Sequence, residues 1–241
     1  FWNYLEESEL KPVVREEYRP PCSQIYVRDQ KNLLFEVTYY KKRINFETYH
    51  ALTDGTGALQ FLRTLVYYYL MEAYPDMVTG PVSQVQADAT DEEMAEDSFD
   101  KYYSDKALVK DIPKYKSHQL KYHRLEYGQM RLVEGIVPTD ALIRAARSFQ
   151  TTITVYLTAV FLCAVAMDMS PRQKKRPVAL MIPVNLRSYF PSSSVRNFFG
   201  WIDIGYNFSE QSEKLEDVIA FTSDFFKREL TPERIAARMN G

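Results

Sequence analysis

The feature that most constrains the fold of this chain is a junction between a strand-like run and a helix-like run. Residues 44–48 are rich in β-formers, and a helical pattern extends from Gly57 to Met71. The segment that joins them carries His50, Asp54 and Gly55 in the spacing H-x-x-x-D-G. We expect the glycine to let the backbone turn where a Cβ would clash. Because imidazole exchanges a proton near neutral pH, a histidine at such a junction is a candidate general base.

The composition excludes several other classes of protein. The 241 residues include 46% hydrophobic and 26% charged residues, as in ordinary globular domains. A net charge of −2 gives no indication of nucleic-acid binding. Cys22 and Cys163 form neither a disulfide framework nor a metal-ligand spacing, so no bound metal is predicted. The longest apolar run, residues 153–167, is shorter than the roughly 20 residues that span a bilayer. We therefore predict no membrane span and a cytoplasmic location.

The periodicity of the first half predicts short strands followed by one helix. Strands are expected near residues 25–27, 33–40 and 43–49. The helix that follows should end near Tyr74, because Pro75 disfavours helical backbone in the residue before it. The acidic segment 80–105 is predicted to be a solvated loop with one short helix, although a lid over a cleft is an alternative.

The second half predicts a mixture of strands and helices, which makes the chain α/β (mixed α+β). A strand is expected within residues 118–137, then a helix through Phe149 with Thr139 as its N-cap. Further elements are predicted at these places: a buried helix, apolar almost all round, at 154–168, strands at 178–184 and about 200–207, and an amphipathic helix at 215–239 that is broken at Thr231-Pro232. We predict two lobes, residues 1–134 and 135–241.

The role of Asp54 has two interpretations from the residues alone. It could orient the imidazole of His50, as the third group of a catalytic triad does. Alternatively, it could point away from the histidine and pair with a buried arginine that holds the loop. Arg187 ends an apolar strand and has the planar fork that pairs with a carboxylate. We favour this pairing. An oxyanion intermediate would also need a hydrogen-bond donor. The spacing of the residues does not choose among four candidates, Thr53, Thr56, Asn185 and Asn197.

Three motifs in this order resemble the chloramphenicol acetyltransferase-like superfamily. They are H-x-x-x-D-G at residues 50–55, P-V-N-L-R at 183–187 and N-F-F-G at 197–200. The superfamily includes condensation domains of peptide synthetases and bacterial alcohol acetyltransferases, and this chain is most similar to the alcohol acetyltransferase-like branch. The resemblance covers roughly residues 23–207.

The resemblance implies a sandwich of two α/β lobes with a tunnel at their junction and His50 midway along it. The histidine would deprotonate an alcohol or amine, which then attacks a thioester carbonyl without an acyl-enzyme. The implied co-substrate is acyl-CoA such as acetyl-CoA, or an acyl carrier protein, with no resident cofactor. The resemblance also implies a structural salt bridge between Asp54 and Arg187. Asn185 and Asn197 are candidates for the oxyanion site or the tunnel wall.

Departures from the family pattern shape the expected function. Tyr49 stands where many condensation domains have a first histidine, which favours transfer to an alcohol or amine over peptide-bond synthesis. A D-F-G-W-G-like motif is absent, and family members extend further at both ends, so we expect an incomplete portion of the fold with a truncated second lobe. A condensation-type domain that uses a carrier-protein thioester remains an alternative. So does a non-catalytic binding module of the same fold.

Overall fold

The computed structural model describes residues 8–27, 30–77, 90–104, 114–122, 125–126 and 130–239. These residues form two compact units that interleave along the chain. Unit 1 comprises the described parts of 1–98, 124–133 and 192–198, and unit 2 those of 99–123, 134–191 and 199–241. The predicted lobes, 1–134 and 135–241, stay a prediction.

Unit 1 contains a sheet of three strands, β1 (Val14–Glu16), β2 (Phe35–Tyr40) and β3 (Arg43–Thr48). β1 pairs parallel with β2, and β2 pairs antiparallel with β3, with Val37 opposite Phe46. The connection from β2 to β3 is a two-residue hairpin turn in which Lys41 has a φ of 53°. This left-handed backbone matches the twist of tight hairpins. The predicted strands at 33–40 and 43–49 are therefore confirmed.

The long helix of unit 1 is α1 (Gly55–Ala73), and its C-cap is Tyr74 as predicted. The ring of Phe61 on α1 packs against Phe35 and Phe46 of the sheet, with centroid distances of 5.6 Å and 4.8 Å. Two short helices follow, α2 (Asp91–Ala95) and α3 (Ser98–Tyr102). A capping box joins Thr90 and Glu93 at the start of α2. The predicted acidic segment thus contains two short helices where one was expected. Its residues 80–89 and 105 lie outside the described residues.

Unit 2 is built on a two-stranded antiparallel sheet with helices packed against it. Its elements are α4 (Thr139–Ser148), α5 (Ile153–Met167), β4 (Val178–Asn185), β5 (Phe199–Tyr206), α6 (Leu215–Glu229) and α7 (Pro232–Met239), with single 3-10 turns at Gln173–Lys175 and Leu186–Ser188. The ladder between the strands runs from Val178 opposite Tyr206 to Asn185 opposite Phe199. The predicted break of the last helix at Thr231-Pro232 is confirmed.

The core of unit 2 lies between β5 and the helices. Ile202 and Ile204 of β5, Leu162 of α5 and Val218 of α6 are fully buried. Helix α5 packs against α6 and β4. The prediction that α5 is buried holds for one face only, because the packed elements leave the opposite face uncovered. Its Leu157, Phe161 and Met167 side chains are exposed.

Three local predictions are corrected by the structure. Residues 25–27 and the described parts of 118–137 are not strands, although they are rich in β-formers. A strand forms only where a neighbouring strand pairs with it, and Val133 and Ile136 are 96% and 91% exposed. The sheet instead includes β1, which the sequence pattern did not indicate. Helix α4 begins as expected, but its N-cap is Pro138 and Thr139 is its first helical residue.

The described residues thus form a mixed α/β structure with two small sheets. Among them, no single helix has the length and apolar composition needed to cross a bilayer. Taken together, α4 and α5 meet those two criteria, but the pair is bent by 83°.

A buried carboxylate joins the last two helices of unit 2. Glu229 is 1% exposed and accepts hydrogen bonds from Arg234 at 2.8 Å and Arg238 at 2.7 Å. The largely exposed side chain of Arg228 also forms an ion pair with Glu229, with its Nε 3.2 Å from Glu229 Oε1. Burial alone would raise the pKa of the Glu229 carboxyl, but the hydrogen bonds from Arg238, Arg234 and Arg228 outweigh it and lower that pKa.

We expect Glu229→Gln to lower the free energy of unfolding by about 3–5 kcal/mol at pH 7, because the charge of Arg238 is left uncompensated in a buried site. The pKa of the Glu229 carboxyl is lower in the folded protein than in the unfolded chain, where it is about 4.5. The stabilising effect of the carboxylate is therefore lost as the pH falls below about 4.5, and the difference between the two proteins should shrink. Urea unfolding at pH 7 and pH 4 measures both effects. Arg228→Gln is the control and should cost less than about 1 kcal/mol. An equally large loss in both variants would contradict this account.

Candidate active site

His50 lies in the turn between β3 and α1, where its side chain is exposed. The turn is anchored to the sheet because the backbone N–H of Tyr49 donates to the carbonyl oxygen of Leu34 at 2.7 Å. Leu52 closes the turn by donating to the carbonyl of Tyr49 at 2.9 Å. The Tyr49 ring also stacks on Tyr26 with centroids 5.2 Å apart. The histidine therefore sits on a turn with a defined backbone path, at the strand-to-helix junction that the sequence predicts.

Asp54 is the N-cap of α1 and is buried, with 4% of its surface exposed. Its Oδ1 accepts hydrogen bonds from the backbone N–H groups of Thr56 at 3.0 Å and Gly57 at 3.3 Å. Its Oδ2 accepts a hydrogen bond from the N–H of Phe198 at 2.8 Å. Both carboxylate oxygens thus accept hydrogen bonds from backbone N–H groups, as expected of a residue that fixes the conformation of the loop.

Arg187 and Asn185 belong to unit 2, at the end of β4. Arg187 is half-buried in the 3-10 turn that follows the strand, and its backbone N–H donates to Asn185 Oδ1 at 3.1 Å. The pairing of Asp54 with Arg187 stays a prediction. So do the proposed roles of Asn185 and Asn197 at an oxyanion or in a tunnel wall.

Residues 194–198, which we call the clasp segment, bind the His50 loop at three points. Thr53 Oγ1 donates to the carbonyl oxygen of Val195 at 2.6 Å. Asn197 Nδ2 donates to the carbonyl oxygen of His50 at 2.7 Å. The third point is the bond from Phe198 to Asp54. The structure thus joins the H-x-x-x-D-G motif directly to the start of the N-F-F-G motif, although more than 140 residues separate them in sequence.

The acidic segment also binds the clasp segment. Ser194 is buried, and its Oγ donates to the carbonyl oxygen of Glu96 at 2.9 Å. The N–H of Val195 donates to the carbonyl of Glu93 at 3.3 Å. These bonds connect α2 to the clasp segment and, through it, to the His50 loop. The sequence pattern gave no indication of this support, because a run of acidic residues is typical of a solvated surface.

The glycine that the loop requires is Gly57 and not Gly55. A Cβ at Gly55 would meet no atom within 4 Å, so the expectation of a clash there is wrong. A Cβ at Gly57 would overlap with Thr53 Oγ1 and lie 2.7 Å from the carbonyl oxygen of Val195. Gly57 is buried in the first turn of α1, where it lets the clasp segment approach the helix. The sequence shows the two glycines in G-T-G, but it gives no sign that Val195 lies close to the second of them.

A groove of about 370 Å³ lies elsewhere in unit 1, and His50 is not among the residues that line it. The polar side chains of its wall include Lys11, Arg15, Lys31 and Glu36. Arg15 is bound to Glu36 at 3.1 Å. In the part of the chain that the structure describes, no three His, Cys, Asp or Glu side chains converge as metal ligands would.

Two sequence comparisons with known proteins found no match. No protein-family model matches the chain, and no curated protein is significantly similar to it in sequence. The resemblance carried by the three motifs therefore stays a prediction.

We expect Asp54→Ala to lower the free energy of unfolding by roughly 2–4 kcal/mol. Loss of a helix N-cap costs about 1 kcal/mol, and the buried N–H of Phe198 left without its acceptor costs about 1–3 kcal/mol more. Urea unfolding measures the change. Thr90→Ala is the matched control, because it removes an exposed N-cap from α2 and should cost only about 1 kcal/mol. A variant as stable as wild type but inactive would instead favour direct orientation of the His50 ring by Asp54.

Proposed function

We propose that the chain is an acyltransferase of the chloramphenicol acetyltransferase-like fold that moves an acyl group from acyl-CoA to an alcohol or amine. In this proposal His50 is the general base, and Asp54 fixes the loop that carries it. Arg187 pairs with Asp54 as its structural partner. The proposal includes an acyl-CoA such as acetyl-CoA as a co-substrate.

One observation supports the proposal most strongly. Two of the three motifs that carry the resemblance are distant in sequence, yet two hydrogen bonds join the loop of the first to the start of the second. A third bond joins the same loop to Val195, two residues before the second motif. Motifs that matched by chance would have no reason to be in contact. The buried cap at Asp54 agrees with the structural role that the resemblance gives to this aspartate.

The exposure of His50 is compatible with the proposed chemistry, because a general base must reach a substrate. An imidazole nitrogen removes the proton from the acceptor O–H or N–H, and the acceptor atom attacks the thioester carbonyl carbon. The tetrahedral intermediate then expels the thiolate as the C–S bond breaks. The imidazolium returns the proton to the thiolate, so the products are an ester or amide and free CoA. No covalent acyl-enzyme is formed.

The experiment that tests the proposal measures thiol release from acetyl-CoA and longer acyl-CoAs with a panel of alcohols and amines. We expect release that depends on the acceptor, and no mass increment on the protein after incubation with acyl-CoA alone. A protein-bound acyl group would contradict direct transfer. Release only from a carrier-protein thioester would favour a condensation-type domain. A folded protein that releases no thiol from either donor would contradict the proposal and favour a non-catalytic binding module.

A further inference from the structure

The side-chain amide of Asn197 is placed against the backbone of His50 itself. Its Nδ2 donates to the His50 carbonyl oxygen at 2.7 Å, which is a short bond for an N–H donor. The two other bonds of the clasp segment reach Thr53 and Asp54, which lie three and four residues further along. Asn197 is therefore the clasp residue whose contact acts on the candidate base directly.

The other atom of the same amide is left without a hydrogen bond. Asn197 Oδ1 is buried and has no partner among the described residues. A buried acceptor without a donor is unfavourable, because the hydrogen bond that water would make to it in the unfolded chain is lost. The orientation of the amide is nevertheless fixed by the His50 carbonyl, which can accept a hydrogen bond only from the NH₂ group. The side chain thus leaves its buried oxygen without a hydrogen bond while its NH₂ group binds the His50 backbone. Such locally unfavourable arrangements are expected at functional sites.

The segment that carries Asn197 is itself held in place. Ser194 binds the backbone of Glu96, and the N–H of Arg196 donates to Ser194 Oγ at 3.2 Å. Phe198, the next residue, is fully buried. The amide is therefore attached to a backbone that other residues hold in place. A side chain needs such support to position another residue to within a fraction of an ångström.

We infer that Asn197 is a positioning residue for His50: its amide fixes the carbonyl of the histidine and thereby the direction in which the imidazole leaves the turn. The inference rests on the proposed function where it concerns catalysis. Misplacement of a catalytic group by about 1 Å can cost roughly 100-fold in rate. Substrate binding does not require the contact, so its loss should lower kcat and leave KM unchanged.

The test compares Asn197→Ala and Asn197→Asp with wild type. The first removes the donor, and the second keeps the shape but presents an oxygen to the His50 carbonyl. We expect kcat per folded molecule to fall at least 10-fold in each variant that folds, with KM within about 2-fold of wild type. Ser194→Ala is the matched control. It removes a bond that supports the same clasp segment without touching the His50 carbonyl, and should lower kcat less. An equal loss in Ser194→Ala would overturn the positioning role.

A second readout separates this inference from the proposed function. The chain has three histidines, so their imidazole C–H signals can be resolved by NMR and the His50 signals assigned from His50→Gln. We expect Asn197→Ala to shift the His50 signals and leave those of His118 in place. Asn207→Asp, which retains the Oδ1 that accepts from Ser209, should shift neither. Unchanged His50 signals would overturn the inference even if the protein is an acyltransferase. Absent activity with shifted signals would instead contradict the proposed function alone.

Discussion

Replacing His50 with alanine is expected to lower kcat/KM for acyl transfer by about 100- to 10,000-fold, the range that a general base contributes. The imidazole is the group that would take the proton from the acceptor and return it to the thiolate. The remaining activity would come from binding and orientation of the two substrates, which the substitution leaves in place. Because the residue is exposed, its replacement should leave the protein folded, which urea unfolding checks.

The control for this prediction is His118→Ala. His118 belongs to unit 2, and the described contact of its backbone is a hydrogen bond from its N–H to the carbonyl oxygen of Pro177. The bond does not depend on the side chain, so kcat/KM should stay within about 2-fold of wild type. If His50→Ala kept kcat/KM within a few-fold of wild type, the assignment of the base would be wrong.

Replacing Gly57 with alanine is expected to be among the most destabilising single substitutions in unit 1. The added methyl would overlap with Thr53 Oγ1 and press against the carbonyl oxygen of Val195. Relief requires the hydrogen bond between these two residues to open or the clasp segment to move away from the His50 loop. Overpacking of this kind costs about 1–3 kcal/mol, and the lost hydrogen bond adds about 1 kcal/mol. Urea unfolding should therefore show a loss of roughly 2–4 kcal/mol.

Gly55→Ala is the matched control for Gly57→Ala. The two glycines lie two residues apart in the first turn of α1, but a Cβ at Gly55 would meet no atom within 4 Å. Alanine is the better helix former by up to about 1 kcal/mol, so the control should be neutral or slightly stabilising. Equal destabilisation by both substitutions would mean that the clasp segment does not pack on α1 as described.

Local elements were predictable from the sequence where local physics decides them. The hairpin of β2 and β3 has strand-forming runs around two turn residues, and α1 ends where Pro75 disfavours helix. The break between α6 and α7 lies at Thr231-Pro232 for the same reason. Strand formation at 25–27 and in the described parts of 118–137 was wrongly predicted, because pairing depends on a partner strand that composition does not reveal.

The candidate site was predictable only in part. The spacing of His50 and Asp54 indicated a loop held between a strand and a helix, which the structure contains. The contacts of the clasp segment were not predictable from local pattern, since they join residues more than 140 positions apart. The space that Gly57 leaves for Val195 depends on those same contacts. Only the resemblance of the motifs to a known family connected the His50 loop with the clasp segment. The resemblance did not say which atoms are in contact.

The measurement that tests the central claim most directly is the formation of an acylated product from isotopically labelled acetyl-CoA and a panel of alcohols and amines. Wild-type protein and His50→Ala are compared at equal concentrations of folded protein, and the product is identified by mass. The account predicts a labelled ester or amide with wild type and at least about 100-fold less with the variant. Labelled product formed equally by both proteins, or by neither while both are folded, would contradict it.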